Sequence, residues 1–252
     1  AAFCGVVGYK PSYDRISRAG VLELAASFDH VGTFTRDLAG AEIVARALCL
    51  DWREVRTAAP KRLGVLAGTY LSRASDEGRA HFEATLERLA EAGFALVRLE
   101  ALEDLEEVAA RHVDTMAAEA WTYHQRWLPR FRHLYHEKTL ALLDRGRSVP
   151  PEGVARGRQS SFELRQRFEG LMDRHGLDLW LSPAARGPAP KGLESTGDPI
   201  MNLPWSHAGL PTLALPAGTV ASGLPMGLQV AGRFGQDEVL FAASRHLEGS
   251  LP

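Results

Sequence analysis

The chain has 252 residues, 45% hydrophobic and 24% charged, which supplies enough apolar surface for a large core and argues against disorder. A formal charge of −2 and a pI near 6.6, with the basic residues spread out, remove any electrostatic case for nucleic acid or an anionic membrane as partner. Two cysteines, Cys4 and Cys49, cannot frame a disulfide scaffold; with no signal-like start and no apolar run of membrane-spanning length, a reducing cytoplasm is the expected setting.

Phe3 to Tyr9 is a short Gly-bearing apolar stretch that reads as a strand with a turn, ended by Lys10-Pro11-Ser12. Leu22 to Phe34 reads as loop with extended pieces. Asp37 then caps a helix through Leu50, with Leu38, Ala41, Ala45, Leu48 and Cys49 on one face. Leu63 to Gly68 is a core strand by length and bounding residues. Ser75 starts a helix that buries Phe82, Leu86 and Leu89 and stops at Gly93, and Phe94 to Leu99 is the next strand. That order is a parallel crossover unit, which predicts an α/β architecture: a mixed sheet flanked by helices.

Ala101 to Asp144 reads as two or three helices broken near Pro129. Glu152 to His175 is a long amphipathic helix expected to bury Phe162, Leu164, Phe168 and Leu171 before Gly176 stops it. Leu177 to Leu181 returns to the sheet, and Ser182 to Pro199 is a Pro/Gly-rich surface loop. Leu213 to Val220 and Met226 to Val230 are short apolar strands, joined by Ala221 to Pro225. Pro211, Pro216 and Pro225 lack a ladder donor and belong at strand ends or bulges. A Gln236 to His246 helix closes the chain. No internal repeat or linker stands out, so residues 1–252 read as one domain.

Two stretches carry a resemblance. Asn202-x-Pro204-Trp205, Gly209-Leu210-Pro211 and Pro216-Ala217-Gly218, followed by Gly223-Leu224-Pro225-x-Gly227-Leu228-Gln229-x-x-Gly232-Arg233, resemble the C-terminal segment of the amidase signature family of serine hydrolases. Independently, Ala1-Ala2-Phe3-Cys4-Gly5 through Asp37 resembles the stretch that follows that family's catalytic serine, with Asp29 and Gly32 matching its S-x-D-x-x-G element. The middle third matches loosely. One departure is Asp14, where the family commonly has Gly; a residue needing φ > 0 there tolerates Asp less well than Gly.

The resemblance implies cleavage of a C–N amide bond in a small-molecule substrate through an acyl-enzyme. A serine would be activated by a second serine on a cis peptide and by a lysine, with no metal or organic cofactor. A hydroxyl is a weak nucleophile near neutral pH, so it needs an adjacent base, and a buried lysine with a lowered pKa can be one. The family's Gly/Ser-rich signature would lie before Ala1, so this chain is expected to hold no catalytic residue and to be inactive alone. The fold left behind would expose sheet surface, to be covered by a missing N-terminal segment or by self-association. The other reading is a non-catalytic structural or binding subunit. An amidotransferase catalytic subunit is a third, disfavoured because the Asn202–Trp205 loop looks more like free-standing amidases.

The resemblance points to Phe3, Cys4, Gly5, Asn202, Trp205 and His207 as lining a substrate pocket. Trp121, with Tyr123, His124 and Trp127, would add a wall. Bland alternatives stand beside these: Cys4 as a small buried hydrophobe, Trp205 and the aromatic cluster as core, Asn202 and His207 as loop braces. The lysines are Lys10, Lys61, Lys138 and Lys191, none in a matching context. Ser160-Ser161 sits in a helix without a Gly-rich oxyanion loop. A metal site drawn from His124, His133, His136, Glu137 and Asp144 lacks zinc-type spacing.

Overall fold

The computed structural model of the protein describes residues 1–49, 51–55 and 59–252. A 3-10 turn at Ala2–Cys4 precedes strand β1 (Val7–Lys10) and the short β2 (Thr33–Thr35). The expected Phe3–Tyr9 strand therefore begins later, because Gly5 closes the turn in the left-handed region at φ 60 before extended backbone can start. Asp14 does adopt φ 64, the conformation its departure from Gly made costly.

Helix α1 (Leu38–Leu48) is capped by Asp37, whose side chain accepts from Gly40 N. The predicted last residue, Leu50, lies outside the described residues. Leu48 is 40% exposed rather than inward-facing. It stands at the margin of the buried stripe, and Glu42, paired with Arg46 and Arg245, is taken in instead.

Strand β3 (Arg62–Leu66) stops before Gly68, whose φ of +61 opens α2 (Gly68–Leu71). Ser75 caps α3 (Asp76–Glu91), and β4 (Ala95–Leu99) returns parallel to β3 as expected. Helices α4 (Leu105–His124), α5 (Leu128–Phe131) and α6 (Glu137–Arg147) follow. The break falls after His124, while Pro129 sits inside the first turn of α5, where its missing N–H is harmless.

Helix α7 (Pro151–His175) ends at left-handed Gly176. Phe162 is 50% exposed, against expectation. It lies about 200° of helical rotation from Leu164, on the face opposite the buried Ser160, Leu164, Phe168 and Met172 stripe. Strand β5 (Leu179–Pro183) takes in Ser182 and Pro183, assigned above to a loop; α8 (Leu203–His207), β6 (Thr212–Thr219), β7 (Pro225–Ala231) and α9 (Asp237–Glu248) complete the chain.

The described strands form one mixed sheet in the order β2-β1-β6-β7-β5-β3-β4, antiparallel from β2 through β5 and parallel from β5 to β4. Side-chain alternation assigns its faces. Val7, Tyr9, Leu213, Leu215, Leu228, Val230 and Leu181 meet α1, α3 and α9 on one side. Trp180 and Ala231 meet α4, α7 and α8 on the other. Pro211 precedes β6, Pro225 opens β7, and Pro216 adjoins the register irregularity between them, as prolines without a ladder donor require. The edge strand β2 is three residues long and leaves Phe34 74% exposed. No described helix is long and apolar enough to cross a membrane.

Candidate active-site cavity

On the α7/α8 side, one row crosses four strands: Gly8, Ala214, Gln229 and Ser182 are successive register partners. Small side chains in the first two leave the sheet bare, and a cavity of about 800 Å³ opens above it. Gly8 must be small: a Cβ there would lie 2.6 Å from the Ala1 Cβ. The cavity walls come from three loops, contributing Phe3, Phe28 with Asp29 and His30, and Asp198 with Asn202.

A buried polar network holds the wall near Asn202 against the sheet. Gln229 Nε2 donates to Ser182 Oγ and to the Met201 carbonyl, both at 3.2 Å. Tyr70 donates its hydroxyl to the same carbonyl at 2.7 Å, and Asn202 Nδ2 donates to Ala184 O at 3.2 Å. Asp198 caps the turn by accepting from Ile200 N and pairs with Arg186. A polar Gln inside the apolar β7 run was the sequence signal for this network.

Of the residues the sequence singled out, Phe3 and Asn202 line the cavity. Trp205 and His207 are fully buried behind it, because the five residues of α8 wind into a helix that turns both toward the core. Trp205 donates from Nε1 to Ser182 Oγ and stacks on Phe168 at 4.8 Å. Its replacement by alanine is expected to cost about 3–5 kcal/mol, read as a lower urea midpoint at unchanged slope; a loss below about 1 kcal/mol would mean that the wall does not depend on it.

His207 does not line the cavity but packs behind Phe28, which lies against both His207 and His112. Cys4 is exposed and Gly5 closes the first turn; neither lines the cavity. Trp121 lies in a satellite cluster with Leu128 and Leu143, away from the cavity, with Arg147 over its ring. His124 is buried, bonded to Tyr135 and to the Glu23 carbonyl, and His136 caps α6. Among the described residues, no group of three or more His, Cys, Asp or Glu is placed to hold a metal.

Lys10 lines the cavity, which the sequence did not indicate. Its Nζ donates to the carbonyls of Leu210 and Pro11. Burial lowers its pKa to about 7, with Asp237 opposing and Arg165 adding to the shift. His30 faces the same space; its Nδ1 donates to Phe28 O at 2.6 Å, and burial, then the Lys10 charge, lowers its pKa to about 3.

One arrangement elsewhere mimics a hydrolytic relay. Ser160 Oγ lies 3.2 Å from His207 Nε2, and His207 Nδ1 lies 3.3 Å from His112 Nδ1. Ser160 is 4% exposed and does not line the cavity over Gly8 and Ala214, so it stands apart from the candidate substrate space. Nor does any hydrogen bond join a lysine amine to a serine hydroxyl among the described residues.

A mixed sheet covered by helices on both faces, with one large cavity on a face near its edge, defines an α/β scaffold of the kind that carries enzyme sites. An amidase family model matches residues 1–241, and the chain belongs to that family. A solved amidase structure superposes with a TM-score of 0.90 at 29% identity, covering 100% of this chain and 60% of the other. A glutamyl-tRNA(Gln) amidotransferase subunit from Anaeromyxobacter sp. (strain K) is 30% identical over 100% of this chain and 60% of its own length. Its counterpart from Geotalea daltonii is 29% identical over 96% and 59%. The chain thus spans about 60% of the length of these relatives.

Proposed function

We propose that the protein containing this chain hydrolyses a C–N amide bond and that these residues form the floor and three wall loops of its substrate site. The observation that carries the reading is the cavity over Gly8, Ala214 and Gln229, with Phe3 and Asn202 in its wall, in a chain of the amidase family. The aromatic and small side chains shed water around a small amide, and Asn202 and Gln229 orient polar groups. The reacting serine, its partner serine on a cis peptide and the lysine base come, in this proposal, from polypeptide outside these residues. That polypeptide also covers the β2 edge and Phe34.

The test is an ammonia-release assay of the complete protein on small aliphatic, aryl and malonyl-type amides, with hydroxylamine as acyl acceptor. Turnover with hydroxamate formation is expected. Filling the floor with Ala214→Phe is expected to lower kcat/KM about a hundredfold, since small misplacements of substrate have effects of that size. A complete protein that folds and turns over no amide would sink the proposal in favour of a non-catalytic subunit.

The relatives named as amidotransferase subunits favour a second reading, in which the amide is cleaved to feed ammonia to a partner. Amide hydrolysis that accelerates only when a partner protein and its acceptor are added would select it.

A further inference from the structure

Between α4 and α6 the chain builds another concave surface, which shares no lining residue with the cavity. The segment from Pro129 to Leu134 is exposed throughout. Beside it, a groove of about 440 Å³ runs between Leu22, Trp127, Phe131 and Leu134, floored by Tyr135 and His124. Leu22 and Leu134 are 62% and 70% exposed, so the apolar lips meet water.

The floor is held by hydrogen bonds. His124 Nε2 donates to Glu23 O at 3.1 Å, and its Nδ1 is hydrogen-bonded to the Tyr135 hydroxyl at 2.8 Å. The segment that bears it is basic: residues 121–138 hold Arg126, Arg130, Arg132 and Lys138 against one carboxylate, Glu137, in a protein whose formal charge is −2, while the nearby Glu23 and Glu119 are paired with Arg18 and Arg158. None of the three arginines forms an ion pair among the described residues. Arg126 instead lies over the rings of Trp127 and Tyr123, and Arg130 over Phe131. Stacking holds each guanidinium plane while its N–H edge stays open for a carboxylate.

We infer that this groove docks an acidic amphipathic segment of a protein partner, apolar side chains in the groove and carboxylates on Arg126, Arg130 and Arg132. A segment with both characters answers both halves of the surface. A flat anionic bilayer meets the arginines but not a concave floor, and a nucleic-acid strand sets phosphate against exposed leucines.

The probe is a short synthetic helix with leucines on one face and glutamates elsewhere, labelled for anisotropy and titrated onto the complete protein. Its counterpart carries lysines in place of the glutamates. The acidic peptide is expected to bind at least about tenfold tighter than the basic one, more so at low salt. The double variant Arg126→Glu, Arg130→Glu and the single variant Leu134→Asp are each expected to weaken it about tenfold or more, with thermal melts unchanged because these side chains are exposed. Equal binding of the two peptides, or undiminished binding by the charge-reversed variant, overturns the inference. So does binding of phosphatidylserine vesicles or single-stranded RNA that these variants abolish while the acidic peptide does not bind.

Discussion

Lowering the pH from 7.5 to 5 is expected to remove about 6 kcal/mol of folding stability through three imidazoles alone, at roughly 1.4 kcal/mol per pH unit for each over the window below pH 6.5. Burial lowers the pKa of His207 to about 3, with His112 and then Arg111 adding to it. Burial alone lowers His112 to about 4, and His30 stands at about 3. All three titrate near 6.5 in the unfolded chain, so below that pH the unfolded state takes protons that the fold refuses. Their contribution is complete above pH 6.5, falls as the pH drops, and levels off near pH 3 to 4. Above pH 5 the carboxylates held low by arginine, Glu42, Glu83 and Asp104 among them, stay charged; Lys10, lowered to about 7, adds to the slope mainly above pH 6.5, and His81, also lowered by burial, adds to it below, so the share of His112 is read from its variant. Urea unfolding at pH 7.5, 6.5, 5.8 and 5.0 reads the slope. His112→Gln should flatten it by one group; a slope identical in the variant and the wild type would show that His112 is not the group being titrated.

The Asp237→Ala variant is expected to lose about 3–9 kcal/mol, the sum of roughly 1–3 kcal/mol for each of three donors left without an acceptor in the core. Asp237 is fully buried at the first turn of α9. It accepts from Tyr9 Oη at 2.7 Å, from Ser12 N at 2.8 Å and from Ser12 Oγ at 2.6 Å. Burial, then the Asp237 charge, pushes the Tyr9 phenol well above its ordinary range, so it remains a donor wherever the protein folds. The positive end of α9 supports the carboxylate. This clamp joins β1 and the Pro11-Ser12 turn to α9, on the sheet face opposite the cavity, and so fixes Gly8 and Lys10 in the cavity floor. Asp237→Asn keeps the shape but turns an acceptor into a donor, and is expected to lose about half as much or more. Urea unfolding of both variants decides: an Asn variant as stable as wild type would show that the three donors do not depend on the charge.

Much of the fold was legible because local signals agreed with the tertiary outcome. Ser75 at an N-cap, Gly93 at a stop and two apolar runs made the β3-α3-β4 crossover readable, and prolines framed the β6-β7 hairpin. Phe162 misled because it is apolar within an amphipathic helix yet stands opposite the buried stripe. The site was legible in part. Phe3 and Asn202 belong to stretches whose resemblance to the amidase signature family places them near a pocket. Trp205 and His207 belong to the same motif, yet a five-residue helix turns them inward, and no spacing rule shows which way so short a helix will face. Lys10, His30 and Gln229 were not singled out as site residues because they come from distant segments, two strands and a loop, that meet only in the folded sheet.

The sequence alone determined the element types, the mixed α/β architecture and the family, since these rest on periodicity, caps and runs of residues that act within one segment. Only the tertiary structure decided which side chains face the cavity, that Lys10 sits in its floor, that His112 and His207 share a buried contact, and that three arginines border an apolar groove. Each of those depends on register and helix rotation between segments far apart in the chain, and a one-residue slip in either sends the same side chain to the opposite face.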